Sequence, residues 1–109
     1  MGDAFPKPFA VAYVGAHTLA IDSELPWLKR EIAAFATARG FILLMTYVEE
    51  SQTMPDAFGE LVQNVWRDGV KTVIVPSLAH LAALGNPVVM KAHLEHHIGG
   101  KVLFIDPAF

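Results

Sequence analysis

The chain has 109 residues, 53% of them hydrophobic and 17% charged, enough apolar side chains for one core and too short for two, which excludes a disordered protein. Its apolar runs, such as residues 41–45 and 73–75, fall far short of the roughly 18 residues a membrane-spanning helix needs, and the lack of cysteine excludes disulfides and thiolate metal sites. The net charge of −3 argues against a surface built for phosphate contacts, which calls for a basic excess.

Residues 1–8 read as a loosely held arm of a single domain covering 1–109. They have no cationic-then-apolar signal layout, so a cytoplasmic protein is expected. Residues 9–14 (FAVAYV) form the first predicted strand, followed by the small, polar turn Gly15-Ala16-His17-Thr18. Asp22 or Ser23 can cap the first helix, with Pro26 in its first turn, where proline is tolerated. Leu28, Ile32, Phe35 and Ala36 recur at helical spacing, and Gly40 marks the stop. The second strand, residues 41–48, is uninterrupted and apolar, the pattern of a strand covered on both faces.

Pro55-Asp56 opens a second helix whose core stripe reads Phe58, Leu61, Val62, Val65 and Trp66, and Asp68-Gly69 ends it. Residues 71–75 (KTVIV) are the third strand, and 76–84 an irregular or helical connection. Asn86-Pro87 starts a third helix running to Ile98, and residues 101–105 (KVLFI) make the fourth strand. Strands alternating with helices of about a dozen residues predict parallel βαβ crossovers. The expected fold is therefore a three-layer α/β/α domain around a four-stranded, mainly parallel sheet. Its expected order is 2-1-3-4, with a crevice at the carboxyl ends of strands 1 and 3.

That edge collects Gly15, His17, Thr18, Glu49, Glu50, Ser51, Ser77, His80 and Asp106. No lysine or arginine is predicted there, because Lys7, Arg39, Arg67, Lys71 and Lys101 lie before strands or at helix ends, on the opposite edge. The candidate ligand-binding crevice is His17, Thr18, Glu49, Ser51, Ser77 and His80. A His17/His80 pair facing across it could do acid–base work, since imidazole titrates near neutral pH; two ordinary loop residues are the plainer reading. His93, His96 and His97 stand on one predicted helix at a spacing that can share a zinc ion, but a solvated helix face explains them equally well. No metal and no cofactor are expected. Trp27 reads either as an interface anchor or as a partly buried side chain. Val88, Val89 and Met90 make a wider apolar surface than one core face needs, which points to a dimer contact.

The chain also resembles the catalytic domain of the serine recombinases (resolvases and invertases) from Phe9 to Pro107. That family ends its first strand in a Tyr-x-Arg-x-Ser-Thr pattern; the stretch here is Tyr13-Val14-Gly15-Ala16-His17-Thr18. After the third strand the family carries Leu-Asp-Arg-Leu-x-Arg, against Leu78-Ala79-His80-Leu81-Ala82-Ala83 here. Gly15, His17, Ala79, His80 and Ala83 thus stand where the resemblance would place the nucleophilic serine, the aspartate and the phosphate-binding arginines. Each lost arginine removes charge-assisted hydrogen bonds that alanine or glycine cannot replace, and one lost transition-state donor typically costs about 10²–10³ in rate. The resemblance implies a resolvase-like pseudoenzyme without DNA recombination activity. It would act as a self-associating, regulatory or binding module, with a homo-oligomer or another protein as partner and no membrane. Two alternatives remain: a small hydrolase or ligand-binding domain using the His17/His80 crevice, and a recombinase remnant with weak DNA affinity, which the net charge disfavours.

Overall fold

A computed structural model describes residues 7–16, 19, 24–50 and 56–106. Within them the chain alternates β1 (Phe9–Gly15), α1 (Glu24–Ala38), β2 (Ile42–Glu49), α2 (Asp56–Asp68), β3 (Thr72–Val75), a 3-10 helix (Leu78–Leu84), α3 (Pro87–Ile98) and β4 (Lys101–Phe104). The strands form one parallel sheet in the order β2-β1-β3-β4. The expected topology is the observed one. Residues 1–6, and with them most of the expected arm, lie outside the described residues, as do the capping residues Asp22, Ser23 and Pro55. Pro8 is described, and its carbonyl accepts from the Ile42 N–H at 2.9 Å.

Alternation along β1 divides the core. Ala10, Ala12 and Val14 point to one face, where Leu28, Ile32 and Ala36 of α1 and Ile74 of β3 pack on them. Val11 and Tyr13 point to the other, against Leu61 and Val65 of α2, Leu81 of the 3-10 helix and Leu94 and Ile98 of α3. Period 2 in the strands and period 3.6–4 in the helices therefore produce three layers.

Asn86 fulfils its predicted role: its Oδ1 accepts from the Val88 and Val89 N–H groups at 3.0 and 3.2 Å while Pro87 fills the first helical position. At the far end of α3, Gly99 adopts the left-handed conformation (φ 64°) that closes the helix. Gly100 is required for a different reason. A Cβ there would lie 1.8 Å from the Lys71 carbonyl oxygen, the same oxygen that accepts the Lys101 N–H, so only glycine lets β4 enter the sheet beside β3.

Two sequence expectations are corrected. The second strand is not covered on both faces: β2 is an edge strand, and Ile42, Leu44 and Met45 are each more than 40% exposed. Its run of apolar residues reflects a register shift instead. Ala10 pairs with Leu43 but Val11 with Met45, so Leu44 is an extra, bulged residue. A bulge reverses which face the following side chains meet; Leu43 packs with the α1 layer, whereas Tyr47, four residues on, belongs to the α2/α3 layer. Trp66 is the second correction. It is 75% exposed rather than part of the core stripe. The buried line of α2 is Leu61 and Val65; the residue after Val65 is turned about 100° away and lies beside His96, His97 and Gly99 at the C-terminal end of α3.

Candidate functional site at the carboxyl edge

Gly15, the last residue of β1, organises this edge. It is the Cα partner of Glu49 in the β1/β2 register, and its N–H donates to His80 Nδ1 at 3.0 Å. Glu49 and His80 thus flank one glycine, and both are buried, at 2% and 6% exposure.

Glu49 reaches its position through the bulge at Leu44, which turns the odd-numbered residues that follow it towards α2. There its carboxylate is surrounded by donors. Oε1 accepts from the Phe58 N–H at 2.9 Å and the Tyr13 hydroxyl at 3.1 Å, and Oε2 accepts from the Ala57 N–H at 3.1 Å. Ala57 and Phe58 belong to the first turn of α2, whose N–H groups have no partner within the helix. A side chain seven residues upstream of the helix therefore caps it, with the negative charge at the favourable end of the helix dipole. Tyr13 is held edge-on to Phe58, ring centroids 5.7 Å apart and planes at 80°. Burial, followed by the Glu49 charge and hydrogen bond, pushes the Tyr13 phenol above its ordinary range. It stays a neutral donor.

His80 sits in the 3-10 helix, where its own N–H donates to the Ser77 carbonyl at 3.1 Å. Because Nδ1 accepts from an N–H, its lone pair carries no proton and the ring proton is on Nε2. Nδ1 joins the connection after β3 to the end of β1.

The remaining predicted site residues separate. Ser77 is half-buried at the carboxyl end of β3 and makes no side-chain capping bond to the 3-10 helix. Ala79 is exposed, Gly15 is buried, and Ala83 lies within the 3-10 helix. His17, Thr18 and Ser51 fall outside the described residues, so the His17/His80 pair does too. A depression of about 420 Å³ runs beside the end of β2; Glu49, Glu50, Asp56 and Glu60 line it, with no lysine or arginine. This agrees with the cation-free edge expected from the order of the elements. His93, His96 and His97 are exposed on α3. Among the described residues, no group of three or more His, Cys, Asp or Glu side chains is arranged to hold a metal ion, and no helix is long and apolar enough to cross a membrane.

Sequence reasoning missed Tyr13 and the α2 amides as the partners of Glu49. A signal existed: a glutamate closes an apolar strand, and a tyrosine stands two positions from the end of the neighbouring one. Only the bulge decides that the two meet. Compared with protein-family models and with curated proteins, the chain matches none.

Proposed function

We propose that this protein is a catalytically inactive, resolvase-like domain that works by association, with itself or with a protein partner, rather than by chemistry on DNA. One observation carries the reading. The two polar side chains best suited to acid–base work at the carboxyl edge, Glu49 and His80, are buried and occupied by backbone N–H groups. A carboxylate engaged by three donors and an imidazole whose Nδ1 lone pair is already taken have little left for a substrate. The acidic lining beside them would repel a phosphodiester, and phosphoryl transfer needs cations there. The substitutions at Gly15, His17, Ala79, His80 and Ala83 relative to the recombinase pattern point the same way. Association is favoured by the large apolar side chains left exposed, among them Trp27, Trp66, Val88 and Val89.

The test joins two measurements on the purified chain: incubation with supercoiled plasmid, with denaturing gels for protein–DNA adducts, and sedimentation over a range of concentrations. Intact plasmid, no adduct and a reversible oligomer are expected. Nicked plasmid or a covalent adduct would overturn the proposal.

A further inference from the structure

Among the described strands β2 is the longest, eight residues against seven or fewer, and it pairs on one side only, with β1. Every other residue of an edge strand turns its N–H and C=O groups outward, where they form a template for a further strand. Proteins usually guard such an edge with a lysine, a proline or a bulge. The bulge of β2 sits near its start. From Met45, paired with Val11, to Glu49, paired with Gly15, the register runs without a further shift, and the strand contains no lysine, arginine or proline.

The regular part of this edge borders a groove. Residues 45–50, the end of β2 and the residue after it, line one side of the depression of about 420 Å³; Asp56, Ala57 and Glu60 of α2 line the other. The groove thus follows the chain for six consecutive residues, about 20 Å at roughly 3.3 Å per residue. An edge strand with such a wall beside it can take up an extended peptide as an added strand. Main-chain hydrogen bonds hold the peptide, and its alternate side chains meet the wall.

The charge of the wall selects the peptide. Glu50, Asp56 and Glu60 are exposed, and none has an ion-pair partner among the described residues. The helix dipole favours Asp56 in the first turn of α2, but its effect fades within that turn and gives Glu60 little. The two stand at i and i+4, where like charges repel. Along the helix they are about 6 Å apart, at 1.5 Å per residue, close to the roughly 7 Å between side chains i and i+2 of an extended strand.

We infer that the outer edge of β2 and the adjoining turns of α2 bind an extended, basic segment of another protein as a fifth strand, with cationic side chains two residues apart meeting Asp56 and Glu60. A second copy of this chain does not supply such a segment: in its described strands the only lysine or arginine is Lys101, in β4. An antiparallel pairing of β2 with β2 about a two-fold axis would set two acidic walls side by side on one face of the sheet. The inference rests on the binding-module reading proposed above and gives it a partner chemistry.

The experiment uses the full chain and three fluorophore-labelled hexapeptides: alternating Lys-Val, alternating Glu-Val, and the Lys-Val peptide N-methylated throughout, which keeps the charge but has no backbone N–H to donate. Anisotropy measures binding, and amide hydrogen exchange followed by NMR locates it. Expected are saturable binding of the Lys-Val peptide that weakens with salt, no saturation by the other two up to about 1 mM, and slower exchange within residues 45–49. Asp56→Asn and Glu60→Gln should each weaken binding about two- to fivefold, while Glu31→Gln, at an exposed position on α1, leaves it unchanged. Circular dichroism checks that the variants fold. Absence of saturable binding, equal binding of the Glu-Val or the N-methylated peptide, or indifference to both α2 variants would overturn the inference. Protection of β2 that rises with protein concentration and needs no peptide would overturn it in favour of a second copy. Each of these results leaves the inactivity of the domain, read by the plasmid assay, as it stands.

Discussion

Replacing Glu49 tests whether the carboxyl edge is held together as described. In Glu49→Ala three donors lose their acceptor, but not with equal consequences. Asp56 and Ala57 line the depression at the end of β2, so water can reach the start of α2, and the loss there is that of a helix cap, about 1–2 kcal/mol. The Tyr13 hydroxyl belongs to a side chain with no exposure, and stranding a buried donor costs about 1–3 kcal/mol. The sum is about 2–5 kcal/mol, a large part of the total stability of a small domain. Glu49→Gln separates the contributions. Its carbonyl oxygen can take the place of Oε1 and serve both Tyr13 and Phe58, while its NH₂ group opposes only the Ala57 N–H. A cost of about 1–2 kcal/mol is expected. Urea unfolding followed by circular dichroism reads these losses directly; with a slope of about 1.5 kcal/mol per molar, the alanine variant shifts the midpoint by roughly 1–3 M. Tyr13→Phe should make the later loss of Glu49 less damaging, giving a coupling of about 1–2 kcal/mol in a double-mutant cycle. An alanine variant within about 0.5 kcal/mol of wild type, or a glutamine variant no better than alanine, would refute the assignment.

Other consequences follow from the same contacts. His80→Ala should cost about 2–3 kcal/mol by stranding the Gly15 N–H, and His80→Asn, whose side-chain oxygen can stand in for Nδ1, should recover about half of it in the same unfolding assay. Gly100→Ala forces a Cβ onto the Lys71 carbonyl and should cost about 2–3 kcal/mol, seen as a Tm lower by roughly 10 °C; an unchanged Tm would mean that β4 enters the sheet differently. Because the Tyr13 pKa is raised on folding, the phenol contributes stability below the ordinary tyrosine value near 10. As pH rises past that value, unfolded chains ionise while folded ones resist, so stability falls. Unfolding midpoints measured between pH 8 and 11 should therefore drop less steeply in Tyr13→Phe.

Much of the fold was legible in the chain. The parallel order, the Asn86-Pro87 start of α3 and the side of the sheet that collects each charge follow from local rules: alternation, caps and the sense of βαβ connections. Glu49 and His80 were placed at the correct edge, but their roles were not. A crevice residue and a buried helix cap look identical in a sequence; what distinguishes them is which face the strand presents when it arrives.

What the sequence determined by itself, then, is the set of elements, which depend on interactions a few residues apart, and an order that the length and handedness of the βαβ connections restrict to few choices. The tertiary structure decided the rest through one irregularity and one neighbour. The bulge at Leu44 inverts the facing of β2 and aims Glu49 at α2, and β2 is the edge of the sheet among the described residues, with Ile42, Leu44 and Met45 exposed. Both depend on how β2 pairs with β1, a contact between segments some 33 positions apart, and no local pattern encodes a register.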